Sequence, residues 1–147
     1  MANELKFEKS PYLKQHEDNP VEWVAWNKKS LLKAKEQKKP IFLSVGYASC
    51  HWCHVMAHES FENSETAKIM NKKFINIKVD REERPDLDFI FQKSLAILTG
   101  TQGGWPLSMF LDENGVPFTG GTYFPPSELQ GRPSFSSVLE NVSKVYS

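Results

Sequence analysis

An α/β fold, with a mixed sheet of about four strands between two helical layers, is predicted by three features of this chain. Two strand patterns, at residues 41–45 and 74–80, are separated by helix-compatible sequence, and a strand–helix–strand unit joins parallel neighbours. Two further strands, at 107–111 and 116–119, are joined by the turn Asp112-Glu113-Asn114-Gly115 and form a hairpin, which adds antiparallel pairing. Helical segments before, between and after these strands cover both faces of the sheet.

The elements follow in order. Asn19-Pro20-Val21-Glu22 combines a good N-cap, a proline suited to the first helical position and a glutamate placed for a capping box, so a helix is expected to start at Pro20. It carries Trp23, Trp26, Leu31 and Ala34 at roughly helical spacing, presents a lysine-rich solvated face, and stops at Pro40. Residues 1–39 thus form an N-terminal extension and helix. Ile41-Phe42-Leu43-Ser44-Val45 is an unbroken, mostly apolar run, the pattern of a strand buried on both faces. It leads into Cys50-His51-Trp52-Cys53-His54, then a helical segment to about Phe61 and a second, capped by Asn63 or Ser64, to about Lys72. Residues 74–80 alternate apolar and polar as a strand does. Leu87, Ile90, Phe91, Leu95 and Leu98 make the apolar stripe of a helix ending at Gly100. Pro117 puts the last strand at a sheet edge, and a final helix from about Ser134 carries Phe135, Val138, Leu139, Val142 and Val145.

Composition bounds the function. With 147 residues, 39% of them hydrophobic, and no linker or repeat, residues 1–147 are expected to form one domain. Eighteen basic and eighteen acidic side chains cancel, so no global field draws the chain to nucleic acid or to an anionic membrane. The longest aliphatic run, Leu95-Ala96-Ile97-Leu98, is too short to span a bilayer, and residues 1–8 lack the apolar core of a signal peptide; a cytoplasmic location is expected.

Two cysteines cannot staple a scaffold, and a bridge across two intervening residues closes almost no loop, so the pair calls for a chemical explanation. A cysteine at a strand end and helix start sits among unpaired backbone N–H groups that stabilise its thiolate; Cys50 is so placed, with Cys53 one turn on to close a disulfide. Two rival readings exist. Cys-x-x-Cys-His is also a haem-attachment string, although that chemistry goes with export and a distal ligand. Cys50, Cys53, His54 and His58 have helical spacing compatible with zinc, but four ligands on one helix make an awkward tetrahedral shell. A distant feature favours redox chemistry: Trp105-Pro106 enters a strand, a good place for a cis peptide, and such a loop exposes backbone for pairing with an extended peptide. The competing reading of Pro106 is an ordinary turn proline.

Ser10-Pro11-Tyr12-Leu13, Gln15-His16, Asn19-Pro20-Val21-Glu22-Trp23, Cys50-His51-Trp52-Cys53-His54-Val55-Met56, residues 79–86, Gly103-Gly104-Trp105-Pro106-Leu107 and residues 120–126 resemble the thioredoxin-like domain of the spermatogenesis-associated protein 20-like family. The resemblance implies a thioredoxin fold, Cys50 and Cys53 as redox pair, and Pro106 as cis-proline. It also implies a larger C-terminal helical toroid as a partner in cis. No cofactor or resident metal is expected, and the expected partner is a disulfide-bearing protein or peptide. Tyr47, Trp52 and Trp105 are the expected substrate contacts. Thioredoxins carry a buried acid six residues before the first cysteine; Ser44 stands there in this sequence, so proton handling must differ. His51 is the candidate to tune Cys50, with His54 and His58 in supporting positions. The alternative to an oxidoreductase is a non-enzymatic module that senses redox state, holds zinc or docks onto the toroid.

Overall fold

The computed structural model describes residues 3–146. Its helices are α1 (Pro11–Lys14), α2 (Lys28–Gln37), α3 (His51–Met56), α4 (Ser64–Lys73), α5 (Pro85–Thr99) and α6 (Phe135–Tyr146). Its strands are β1 (Ile41–Gly46), β2 (Ile75–Asp80), β3 (Leu107–Leu111) and β4 (Pro117–Gly121), in sheet order β2-β1-β3-β4. β1 and β2 run parallel, and the β3–β4 hairpin lies antiparallel beside β1. The mixed four-stranded sheet between helices is therefore as the sequence predicts, with Pro117 opening the edge strand β4.

The two faces of the sheet differ in character. One carries an aromatic core in which Trp23, Phe42, Phe61, Phe110 and Phe135 meet, roofed by α1, α3, α4 and α6. The other is mostly aliphatic, with Leu43, Val45, Ile77 and Met109 packed under Ala34 of α2 and Leu87, Phe91 and Leu95 of α5. Every residue of β1 is buried, in keeping with its continuous apolar pattern.

The expected helix from Pro20 is the main correction. α2 starts eight residues later, capped by Asn27, whose side chain accepts from the Ser30 amide at 2.8 Å. Within residues 20–27 the chain is non-helical, and Val24 pairs with β2 instead. The Val24 amide donates to the Asn76 carbonyl at 2.9 Å, and its carbonyl accepts from the Lys78 amide at 3.0 Å. Asn19, the expected cap, accepts from the buried Trp23 indole N–H at 3.1 Å. A backbone pair with an open strand edge, plus burial of Trp23 against Phe42 and Phe61, outweighs the local capping signal. The N-terminal residues also cover part of β2's polar side: Lys78 lies over Tyr12 and Trp23, Asp80 accepts from Ser10, and Asn76 instead donates to the Met70 and Phe74 carbonyls, all three being buried.

α3 continues through a π-helical turn at Ala57–Phe61, and Asn63 caps α4 by accepting from the Glu65 and Thr66 amides. Gly100, at φ 73°, ends α5 in the left-handed region.

Candidate functional site

Parallel β1 and β2 deliver their loops to the same end of the sheet, and the antiparallel register pairs Val45 with Leu107, bringing Pro106 there too. Cys50 is the N-cap of α3, and its Sγ accepts from the Cys53 amide at 3.2 Å. Cys50 and Cys53 are joined in a disulfide, with Cα atoms 5.3 Å apart, and both are almost fully buried. The amide that caps the helix at Cys50 would equally stabilise that sulfur as a thiolate. Gly46, the last residue of β1, lets α3 come close: a Cβ there would stand 2.7 Å from Cys53 Sγ.

The Trp105–Pro106 peptide bond is cis, and Pro106 is buried where β3 begins. Trp105 is held on two sides. Its indole N–H donates to Asp88 Oδ1 of α5 at 2.9 Å, and the Arg81 guanidinium lies over its ring at 4.4 Å from the centroid. Arg81 also covers Tyr47, at 5.3 Å, and approaches Asp88 Oδ2 at 3.6 Å. Tyr47 and Trp105 meet edge to face, with centroids 5.9 Å apart. On the other side Trp52, about half exposed, leans on Tyr123 with centroids 5.0 Å apart, and the Tyr123 hydroxyl donates to Glu59. A cleft of about 560 Å³ opens between Trp52, Trp105, Tyr123, Leu129 and Arg132. Tyr47, Trp52 and Trp105 thus line the surface around the cysteine helix.

The three histidines near the pair sit in different settings. His51 is exposed, its ring 5.4 Å from that of Trp52. His54 Nε2 bonds the Ala48 carbonyl at 2.6 Å, and His58 pairs with Glu62 at 3.4 Å. Among the described residues no three His, Cys, Asp or Glu side chains are grouped to hold a metal ion.

Beneath the disulfide lies a buried polar set. Lys78 Nζ donates to Ser44 Oγ at 2.9 Å and sits over the rings of Phe61, Trp23 and Tyr12, at 4.6, 5.0 and 5.5 Å from their centroids. Full burial pushes its pKa down to about 7. Asp80 accepts from Ser10 Oγ at 2.6 Å, and His16 bonds the Tyr12 carbonyl at 2.9 Å. Burial, with the Lys78 charge, takes His16 down to about 3. The Tyr12 hydroxyl is buried without a hydrogen-bond partner.

Asp88, Tyr12 and Lys78 were not candidates on sequence grounds, and Arg81 was one only as part of the charged loop after β2. Arg81 had a signal: it directly follows β2, and parallel strands send their exits to one edge. Residues 80–86 read as an ion-paired loop after a strand, with the alternative that they lie near the site and shape substrate choice. Arg84 with Asp86 fits that reading, bonded at 2.9 Å and exposed, whereas Arg81 turns inward onto aromatic rings.

Together the mixed sheet, the cysteine pair at the head of α3 and the strand entered through Trp105-Pro106 define a thioredoxin-like domain with a Cys-x-x-Cys disulfide. Residues 2–147 match the Thioredox_DsbH family, described as "Protein of unknown function, DUF255", and the chain belongs to that family. It is 54% identical over 140 residues to "Uncharacterized protein B0495.5" of Caenorhabditis elegans, covering 95% of this chain and 19% of that protein. It is 50% identical over 139 residues to human "Spermatogenesis-associated protein 20", covering 95% and 18%. The chain therefore spans about a fifth of the length of the curated relatives it matches. Among solved structures it is similar to "DsbH Oxidoreductase", with TM-score 0.60 and 18% identity over 86% of this chain and 84% of that one. It is also similar to a disulphide isomerase from Xylella fastidiosa Temecula1, with TM-score 0.53 and 17% identity over 80% and 86%. At these identities the structural likeness speaks for the fold.

Proposed function

We propose that this chain is a thiol–disulfide oxidoreductase domain in which Cys50 and Cys53 exchange with protein or peptide disulfides. The observation that carries the reading is a bonded cysteine pair whose first sulfur caps a helix at the exit of a buried strand. In the reducing direction the Cys50 thiolate attacks one sulfur of the substrate disulfide. A Cys50–substrate disulfide forms, the substrate S–S bond breaks, and the departing thiolate takes a proton. Cys53 then attacks Cys50 Sγ, the second substrate thiolate leaves, and the pair ends oxidised by two electrons. Cis-Pro106 and the Trp105 backbone hold an extended substrate strand beside the sulfurs, Tyr47, Trp52 and Trp105 contact its side chains, and His51 tunes Cys50. The reaction uses no cofactor. A cytoplasmic setting and a C-terminal helical domain in cis belong to the same reading.

The test is a redox titration in graded glutathione or dithiothreitol ratios, with alkylated thiols counted by mass spectrometry. A reversible two-electron transition is expected. Cys50→Ser should abolish disulfide reduction, while Cys53→Ser should accumulate mixed disulfides with substrate. Absence of a reversible transition, or equal partial losses from the two variants, would sink the reading.

A further inference from the structure

The resolving step of the proposed exchange needs Cys53 as a thiolate in a site closed to water, and the residue that serves buried proton handling in thioredoxins is replaced here by Ser44. Ser44 already accepts from Lys78. The free group is elsewhere: Tyr12 is 1% exposed, and its hydroxyl is one of two buried side-chain polar atoms without a hydrogen-bond partner among the described residues. An unpaired buried hydroxyl carries a desolvation cost, so its retention calls for a state in which it has a partner. Its position names that partner. A Cβ on Gly46 would overlap the Tyr12 hydroxyl and stand 2.7 Å from Cys53 Sγ, so hydroxyl and sulfur border the same spot, across the bare Cα of Gly46. In the disulfide-bonded chain no acceptor, Cys53 Sγ included, meets the hydroxyl in bonding geometry. After reduction Cys53 Sγ carries the lone pairs and charge that a phenol O–H satisfies.

We infer that Tyr12 is a positioning residue for the resolving cysteine: its hydroxyl donates to Cys53 Sγ in the reduced protein, stabilising the thiolate that closes the disulfide. This rests on the exchange reading above. Tyr12 keeps its own proton throughout. The proton lost by Cys53 goes to the first departing substrate thiolate, and the electron pair on Sγ forms the new bond to Cys50. The ionisable groups facing Tyr12 keep it a donor. Burial, and after it the Asp80 charge, raises the phenol well above its ordinary value. From β2, Lys78 lies over its ring, and His16, with centroids 4.9 Å away, packs edge-on against it and also feels His54. A proton on Lys78 would further favour charge on the sulfur.

Tyr12→Phe removes only the unpaired oxygen, so the oxidised chain should be no less stable than the parent. Two readouts test the role. In the redox titration the variant's pair should become more reducing by about tenfold in its equilibrium with glutathione, equivalent to about 30 mV. In the Cys50→Ser background, where Cys53 is the lone thiol, Tyr12→Phe should move the pH profile of Cys53 alkylation upward by about one unit, roughly tenfold in thiolate at a fixed pH below it. The second readout does not depend on exchange activity, so it stands if the oxidoreductase reading fails. A parent-like potential and an unmoved alkylation profile would overturn the inference. So would equal loss of thermal stability in oxidised and reduced chains, since that marks a packing role.

Discussion

At the scale of single residues, the aromatic floor of the site is held by two charged side chains from different elements. Asp88 reaches up from α5 to fix the Trp105 indole, and Arg81 closes over the ring from the end of β2. Neither contacts the sulfurs, so their effect should appear in how an extended substrate is held. Asp88→Ala should lower kcat/KM for protein disulfides about fivefold, from loss of ~1 kcal/mol of positioning, while a small disulfide such as that of oxidised glutathione is turned over nearly as before. Parallel kinetics with the two substrates measure the difference, and equal losses would show that Asp88 serves only folding. The cysteine pair was legible because its spacing and place between strand and helix state its chemistry. Asp88 and the inward turn of Arg81 were not, because cation–ring and indole–carboxylate contacts join residues with no sequence pattern between them.

At the scale of elements, strands and long helices were legible from periodicity, and the segment before α2 was not. Asn19-Pro20-Val21-Glu22 carries a local helix-start signal, yet Val24 finds hydrogen bonds on β2, which no local reading contains. The two asparagines consequently have different jobs. Asn27→Ala removes the cap of α2 and should cost about 1 kcal/mol. Asn19→Ala strands the indole N–H of fully buried Trp23 and should cost about 1–3 kcal/mol, with a shift in tryptophan emission that Asn27→Ala lacks. Urea titrations followed by fluorescence check both. The alternation in β2 showed a strand but not what meets its polar side, where Lys78 and Asp80 are buried against N-terminal residues far away in sequence.

At the scale of the whole molecule, buried bases set the pH response. Lys78 falls from 10.5 to about 7 through burial, and His16 from 6.5 to about 3 through burial and the Lys78 charge. Between each pair of values the unfolded chain binds a proton that the folded one does not, so stability rises with pH there. His16 contributes a loss as pH falls from about 6.5 toward 3, and Lys78 a loss as pH falls from about 10.5 to 7. Lys78→Met should flatten the rise in Tm of the oxidised chain across the upper window and leave the lower one in place; calorimetry at stepped pH measures it. The Val24 contact has one more consequence, for colloidal behaviour. β2 is the outermost strand on its side, and the N-terminal segment occupies part of its hydrogen-bonding edge. A chain shortened to begin at Lys28 would leave the Asn76 carbonyl and the Lys78 amide open beside Ile75, Ile77 and Val79, a template for another molecule's strand. Such a chain should self-associate with concentration, visible as growing light scattering, while the chain that keeps residues 1–27 stays clear.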